Sequence, residues 1–520
     1  MKRILPLLLT AVLLLTGCGV NYEEEPGISW EEYQQSQSGE AEAEQPTEEQ
    51  SYPSAFSMAY YKGHTLDPIT CGEGIQQDVA ALLYEPLVQL DENFEPVPLL
   101  CESWSWDESG LVLTLVIRQG VTFSDGSELT AADAADTLRR AAESQRYSYR
   151  LRQVTSITSS NSAGTVTITL STPNRGFPSL LDIPVVKRST SGQSVPLGTG
   201  PYVFVTGSDS DSLVANSGWW QQKSLPVDTI TLVHAKDKDT AMYLFSSHRI
   251  ELLRADPTSD LVSASGKAVN TPVPTTTFQF IGFNTASGVF SSAAARAAFS
   301  KGIQRDMVAE ALLSGNALPA AFPISPLSAL YPEDLAPVYS YEGTVSDLTA
   351  AGANTGQSQT LILLVNEDNS FRVSCAEFIA ENMSLLDWQI TVKALPWEEY
   401  LAALAAGEFD LYYGEVRLTV DWDITDLVGT GGSLLVGASL NYGGYTNTVT
   451  DALLQSFASA SDRAYAARQL CAHLLGTAPI APICFQQDIL LTHDDVVSGM
   501  TPTTTSVFFG LENWTIHLEP

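Results

Sequence analysis

The chain has 520 residues, enough for two or more domains with separate cores. Its 26 basic and 60 acidic residues give a formal charge of -34, which repels nucleic acid and anionic lipid headgroups and argues against both as binding partners. Apolar residues make up 44 %, a globular proportion rather than that of a disordered or membrane-embedded chain.

Lys2 and Arg3 precede an apolar run from Leu5 to Leu15. That run has the length of a secretory signal core and is too short for a comfortable membrane span. It ends in Leu15-Thr16-Gly17-Cys18, which resembles a bacterial lipobox. The resemblance implies that residues 1–17 are a lipoprotein signal peptide. Cys18 then carries a lipid that anchors the chain at the extracellular face of the bacterial cytoplasmic membrane. Residues 19–55 hold no Lys or Arg and are rich in Glu, Gln, Ser and Pro. Such a segment buries too little apolar surface to fold, and its like charges repel, so 18–55 is expected to be an acidic, disordered tether.

Ser57–Tyr61 reads as a short strand, followed by Leu66-Asp67-Pro68 and a helix from about Ile75 to Tyr84. Tyr84-Glu85-Pro86-Leu87 and Cys101-Glu102-Ser103-Trp104 come next. In 104–140, Leu111, Leu113, Leu115 and Ile117 alternate with Val112, Thr114 and Val116, the period of a strand. Asp125-Gly126 marks a turn, and Thr130 with Asp133 forms a capping box that opens a helix. Val154–Leu170 reads as a hairpin about Asn161–Gly164. Gly198-Thr199-Gly200-Pro201-Tyr202 makes a tight turn.

The order of these segments, above all the W…D-x-x-G…L-x-L-x-x-G-V-x-F-S-D-G-x-x-L-T-A-x-D pattern of 104–133, resembles the family 5 extracellular solute-binding proteins of ABC importers. The fold that resemblance implies is α/β and periplasmic-binding-protein-like, of the type II, large peptide-receptor variety, with two lobes around a cleft and an extra subdomain. The implied division puts 56–84 in lobe I, 85–185 in the extra subdomain, 186–272 back in lobe I, 273–486 in lobe II and 487–520 in a C-terminal return to lobe I.

In the second part, Ala293–Leu313 reads as one helical run capped by Ser292, with Arg305 and Asp306 on its exposed surface. Pro319–Pro326 is a Pro-rich loop, and residues 343–359, rich in Gly, Ser and Thr, also read as loop. Strands and helices then alternate from Leu361 to Tyr413. The stretch 410–423 resembles the family's D-L-x-x-x-x-W-x-A-D-Y segment, whose Asp pairs with a peptide's α-ammonium group. Asp421 fits that place, followed by Trp422, with Asp423 as the alternative alignment. Arg417 stands near the position of the missing Trp, where it meets a ligand carboxylate or pairs with Glu415 or Asp423. Tyr442, Tyr445 and Phe322 complete the expected cleft contacts. Ala478–Phe485, with Pro479 and Pro482, resembles the family's closing segment and reads as an extended linker between lobes.

Beyond Cys18 there are five cysteines, Cys71, Cys101, Cys375, Cys471 and Cys484, with no C-x-x-C pair. An odd count leaves at least one thiol outside any internal disulfide. The six histidines are scattered, and no H-E-x-x-H or G-x-S-x-G motif is present. No cofactor or metal and no enzymatic activity are expected. The expected role is a monomeric lipoprotein that captures short peptides and delivers them to an ABC permease. Nickel chelates, sugars and heme are the alternative solutes, and a hydrolase is the alternative of another class.

Overall fold

The computed structural model describes residues 52–72, 74–258, 268–353, 356, 358–384, 388–431 and 440–519. The stretch expected to be a signal peptide, Cys18 and most of the stretch expected to be a tether lie outside the described residues. The strands and helices used below are β1 (Phe56–Tyr60), α1 (Ile75–Ala81), β2 (Cys101–Trp106), β3 (Val112–Ile117), α2 (Ala131–Glu143), β4 (Val154–Ser160) and β5 (Thr165–Leu170). They continue with β6 (Tyr202–Val205), β7 (Asp211–Ala215), β8 (Thr229–His234), β9 (Leu252–Ala255), β10 (Ala268–Phe283), α3 (Ala293–Lys301) and α4 (Tyr341–Ala350). The last are β11 (Gln359–Asn366), α5 (Ser370–Ser384), β12 (Trp388–Leu395), β13 (Leu411–Arg417), α6 (Thr448–Ser459), α7 (Arg463–Thr477) and β14 (Ile480–His493).

Among the described residues one mixed sheet runs in the order β12-β11-β13-β10-β14-β9-β1-β8-β7-β6, with Ala317–Pro319 paired to β14 off that path. Two long strands carry the sheet through its middle. β10 has 16 residues and β14 has 14. At one end, Ala268–Pro274 pairs with Gln487–His493, beside β9 and β1. At the other, Phe278–Gly282 pairs with Ile480–Phe485 on one side and with β13 on the other. Between these ends the ladder breaks, with a register shift from Pro274 to Phe278. Proline has no N–H to give a ladder, and the gap is bridged by Thr275, whose Oγ1 donates to the Gln486 carbonyl at 2.5 Å. Pro482 sits at a second shift, opposite Phe280. The segment read as an extended linker is thus part of a paired central strand, made possible by a bulge at its proline.

A separate four-stranded sheet, β2-β3-β5-β4, is built from the alternating stretch. Leu113, Leu115 and Ile117 point inward and are buried, while Val112, Thr114 and Val116 are half-buried. The capping box forms as the residue types require: Thr130 accepts from the Asp133 N–H, and Asp133 Oδ2 accepts from the Thr130 N–H at 3.0 Å. Gly198 and Gly200 meet a different demand from the turn expected of them. A Cβ at Gly198 would sit 2.1 Å from the Leu83 carbonyl oxygen, and one at Gly200 would sit 2.5 Å from the Leu83 carbonyl carbon. Glycine is needed there for close backbone approach. Thr199 between them donates to Glu85 at 2.7 Å, and this buried carboxylate also accepts from Trp219, Trp220 and Gln221.

Three local expectations are corrected. Residues 341–350 form helix α4, with Ser340 accepting from the Gly343 N–H and Thr344 and Leu348 buried. The cap and the inward face outweigh the poor helix propensity of its Gly and Thr. The run from Ala293 breaks after Lys301 at Gly302, before a short helix at Arg305–Met307 and a π-turn at Val308–Leu312. Arg305 is not surface decoration: its Nε donates to the Pro482 carbonyl at 2.8 Å and to the Ala320 carbonyl at 3.0 Å. Burial lowers its pKa to about 10. The five described cysteines are all free and buried, so Cys471 and Cys484 are not bonded to each other.

Candidate ligand-binding site

The break in β10 opens onto a cavity of about 330 Å³. Thr275 and Thr276, in the break itself, form part of its wall. α1 supplies Gln77 and Asp78, the end of β9 supplies Arg254, and the C-terminal segment supplies Thr504 and Thr505. The chain after α2 supplies Arg146, Tyr149 and Arg150, with Asp182 from further along. Arg417 to Val420, leaving β13, close the remaining side. Residues from both ends of the central sheet and from the part bearing the four-stranded sheet thus meet on one space.

Its charges are unlike those of the whole chain. Four guanidiniums, of Arg146, Arg150, Arg254 and Arg417, line it with two carboxylates, of Asp78 and Asp182. Arg150 pairs with Asp182 at 2.7 Å. Arg254 is held by Asp488 of β14 at 2.7 Å and lies 3.6 Å from Asp78. Burial pushes the Asp78 carboxyl up to about 6, with Asp488 adding to the rise and Arg254 opposing it. Arg146 donates to the Pro68 carbonyl at 3.4 Å and lies 3.8 Å from the Cys71 sulfur. Burial raises the pKa of that thiol, although Arg146 acts to lower it.

A second cavity, of about 240 Å³, is lined by Ala297, Ala321, Leu335, Leu474 and Ile480 among others, with Lys301 as its charged member. It brings no convergent polar groups to a ligand. No cluster of three or more potential metal-ligating side chains occurs among the described residues.

Of the seven residues expected at the cleft, Arg417 lies on the wall of the larger cavity. Arg372 takes Glu415 at 2.5 Å, and Arg152 takes Asp423 at 2.8 Å. Asp421 is 4 % exposed and faces the protein. Its Oδ1 accepts from Thr419 Oγ1 at 2.6 Å, and its Oδ2 accepts from Asn174 Nδ2 at 2.8 Å. Arg463 donates to its backbone carbonyl at 2.5 Å. Trp422 follows with φ 58, a left-handed conformation rare for a large side chain. Its ring is buried, edge-on to Phe94 at 5.2 Å and to Phe485 at 5.7 Å. Tyr445 is buried with its hydroxyl 2.8 Å from Thr450, and Phe322 is buried against Tyr331. Tyr442 is half-buried, edge-on to Tyr412 at 6.0 Å.

The turn at 419–426 therefore belongs to a seam. Arg152 bonds both Asp423 and Asp426, and Tyr149 donates to Asp426 at 2.7 Å. One apolar cluster continues through the seam, from Phe94, Leu113 and Leu115 to Tyr412, Trp422 and Phe485. Arg146, Arg150, Arg254, Asp78 and Asp182 were not foreseen as cavity residues. A signal was available for two of them: Arg139, Arg140, Arg146, Arg150 and Arg152 crowd one short stretch of a chain with 26 basic residues.

A sheet carried through its middle by two long strands, with a polar cavity where their pairing breaks, has the organisation of a two-part binding protein. The chain matches the bacterial extracellular solute-binding proteins, family 5 (middle region), over residues 95–427, and it belongs to that family. It is 25 % identical to the glutathione-binding protein GsiB of Pectobacterium atrosepticum over 425 residues, covering 77 % of this chain and 82 % of that one. Among solved structures it is similar to HbpA2 from Haemophilus parasuis, with a TM-score of 0.74, 19 % identity and coverage of 89 % and 100 %. It is also similar to the oligopeptide-binding protein AppA of Bacillus subtilis in complex with a nonapeptide. There the TM-score is 0.59 and the identity 20 %, with 90 % of this chain and 99 % of that one covered. The structural likenesses establish the α/β, periplasmic-binding-protein-like fold.

Proposed function

We propose that this chain is the solute-binding component of a bacterial ABC importer, capturing short peptides in the 330 Å³ cavity and releasing them to a permease without converting them. The observation that carries the reading is the position of that cavity, at the break in β10, walled by residues from both ends of the sheet. Two lobes hinged at such a break close on a ligand that contacts both, which shifts an open–closed equilibrium. The GsiB relative is named for binding glutathione, and AppA for binding oligopeptides, so a peptide is the favoured solute.

In this reading Arg417 contacts a ligand carboxylate. Asp421, Trp422 and Asp423 shape the turn that carries it, and Tyr442, Tyr445 and Phe322 pack behind. The protein acts as a monomer, held at the outer face of the cytoplasmic membrane by a lipid on Cys18.

The test is direct. Mass spectrometry of solute released from purified protein should find peptides, and adding them back should compact the protein in small-angle scattering. Saturating peptide with no change in scattering would refute closure, and peptide hydrolysis by the pure protein would refute the binding-only role. Cys18→Ser should release the protein from membranes in soluble form; an unchanged membrane fraction would refute the anchor.

A further inference from the structure

We infer that Asp78 is the group in this cavity that takes up the primary ammonium of a bound solute, a role the family motif would give to Asp421. This rests on the solute-binding reading and narrows it to amine-bearing solutes held by one named side chain.

Two carboxylates reach the cavity wall, and the protein engages them differently. Asp182 is taken by Arg150 at 2.7 Å. Asp78 is paired, among the described residues, only with Arg254, whose Nη1 stays 3.6 Å from its Oδ1, too far for a hydrogen bond. The Nε and Nη2 of that guanidinium both go to Oδ2 of Asp488, at 2.8 and 2.7 Å. Asp78 is also only 8 % exposed. It is therefore a carboxylate withdrawn from bulk water and short of donors, an arrangement that costs free energy until donors arrive. A solute that brings them to Asp78 displaces no hydrogen bond of the protein at that carboxylate.

Asp421 is the opposite case. It does not line this cavity, and its two oxygens already accept from Thr419 and Asn174. An ammonium would have to break those bonds to reach it.

An ammonium suits Asp78 better than a neutral donor does. Ionised donor and ionised acceptor make the shorter, stronger charge-assisted bond, and more so where water is partly excluded. An ammonium has three hydrogens to place, and the Gln77 amide and the Thr276 hydroxyl on the same wall are further acceptors. The arginines nearest in this account are compensated, Arg254 by Asp488 and Arg150 by Asp182, so they oppose a cation less than their number suggests. Asp78 comes from α1 and Arg417 from the end of β13. With Arg417 receiving a carboxylate, as proposed above, one short peptide touches both parts of the fold.

The experiment is isothermal titration at pH 7 with Ala-Ala-Ala and its N-acetyl form, which differ in the ammonium alone. The free-amine peptide should bind about tenfold or more tighter, the size of one hydrogen bond to a charged group. Asp78→Asn should bring that ratio toward one by weakening the free-amine peptide, and Asp78→Glu should keep part of it. Asp421→Asn should leave the ratio intact even where it lowers the melting temperature. Thermal melts of each variant separate lost recognition from lost folding. Equal binding of the two forms, or a ratio that survives in Asp78→Asn, overturns the inference and leaves the solute-binding reading standing. A ratio lost in folded Asp421→Asn overturns it too and returns the amine to the motif position. If neither tripeptide binds, a casein hydrolysate and its amine-acetylated form replace the pair, read by thermal shift. A shift that survives acetylation overturns the inference, and one abolished by acetylation in the parent and already absent in Asp78→Asn supports it. No shift with either form means that the solute-binding reading itself fails.

Discussion

Arg417 and Asp421 are four residues apart, yet they live in different physical worlds. Arg417 is exposed at the end of β13 and faces the cavity. Asp421 is buried, and its carboxylate is taken up by Thr419 and Asn174. Both are charged, and both lie where separate parts of the fold meet. The difference is the setting: Arg417 borders the cavity, whereas the Asp421 carboxylate is enclosed among protein donors. A residue type suited to ligand recognition is equally suited to holding a turn, and only its partners tell the two uses apart.

That contrast can be broken experimentally, and the largest effect is expected on the buried side. Trp422→Ala removes a ring packed against Phe94 and Phe485 and should cost about 3–5 kcal/mol, read from urea denaturation. A loss near zero would mean that the seam does not hold the turn.

The cavity side should show itself next, through pH. The folded pKa of Asp78, about 6, lies above its ordinary value of 3.8. Between those values the folded chain holds a proton that the unfolded chain has released. Stability from this group is therefore full below about pH 4 and lost as pH rises through about 6. Asp78→Asn should gain about 1–3 kcal/mol relative to the parent between pH 4 and pH 7, seen as a flatter pH profile of unfolding midpoints. Parallel profiles for the two proteins would contradict the assignment.

Arg417→Gln should weaken binding of the peptide that copurifies with the protein about tenfold, roughly 1.4 kcal/mol, with the melting temperature nearly unchanged. A large drop in melting temperature would move Arg417 to the structural side of the comparison. The smallest effect is expected at Arg152, whose bonds to Asp423 and Asp426 are partly exposed. Arg152→Ala should cost about 1 kcal/mol of stability and change the affinity for that peptide less than Arg417→Gln does. The reverse order would place the seam, rather than the cavity wall, in direct charge of binding.

How much could be read in advance depends on the range of the interactions. The stretch 104–140 was legible because its strand period and capping box are made by residues close in sequence. Leu113 and Leu115 alternate with Thr114, and Thr130 meets Asp133 three residues away. Helix α4 was missed because its stability comes from Ser340 at the cap and Leu348 in the core, against poor local propensity. Arg305 was read as surface because its acceptors, the carbonyls of Ala320 and Pro482, come from remote segments. In the candidate site, Arg417 was singled out from the residues around it, but Asp78, Asp182 and Arg254 had no local mark. They reach the cavity from α1, from the segment after β5 and from β9.

The amino-acid sequence by itself determined the family, the α/β class and the locally encoded elements, because period, caps and turns act over a few residues. Tertiary structure alone decided which charges face a shared space and which are absorbed by neighbours. That choice depends on partners far away in the chain, such as Asn174 for Asp421 and Arg152 for Asp423. A carboxylate or a guanidinium carries the same chemistry in either setting. Its function follows from whether folding encloses it in the protein or sets it on the wall of a cavity.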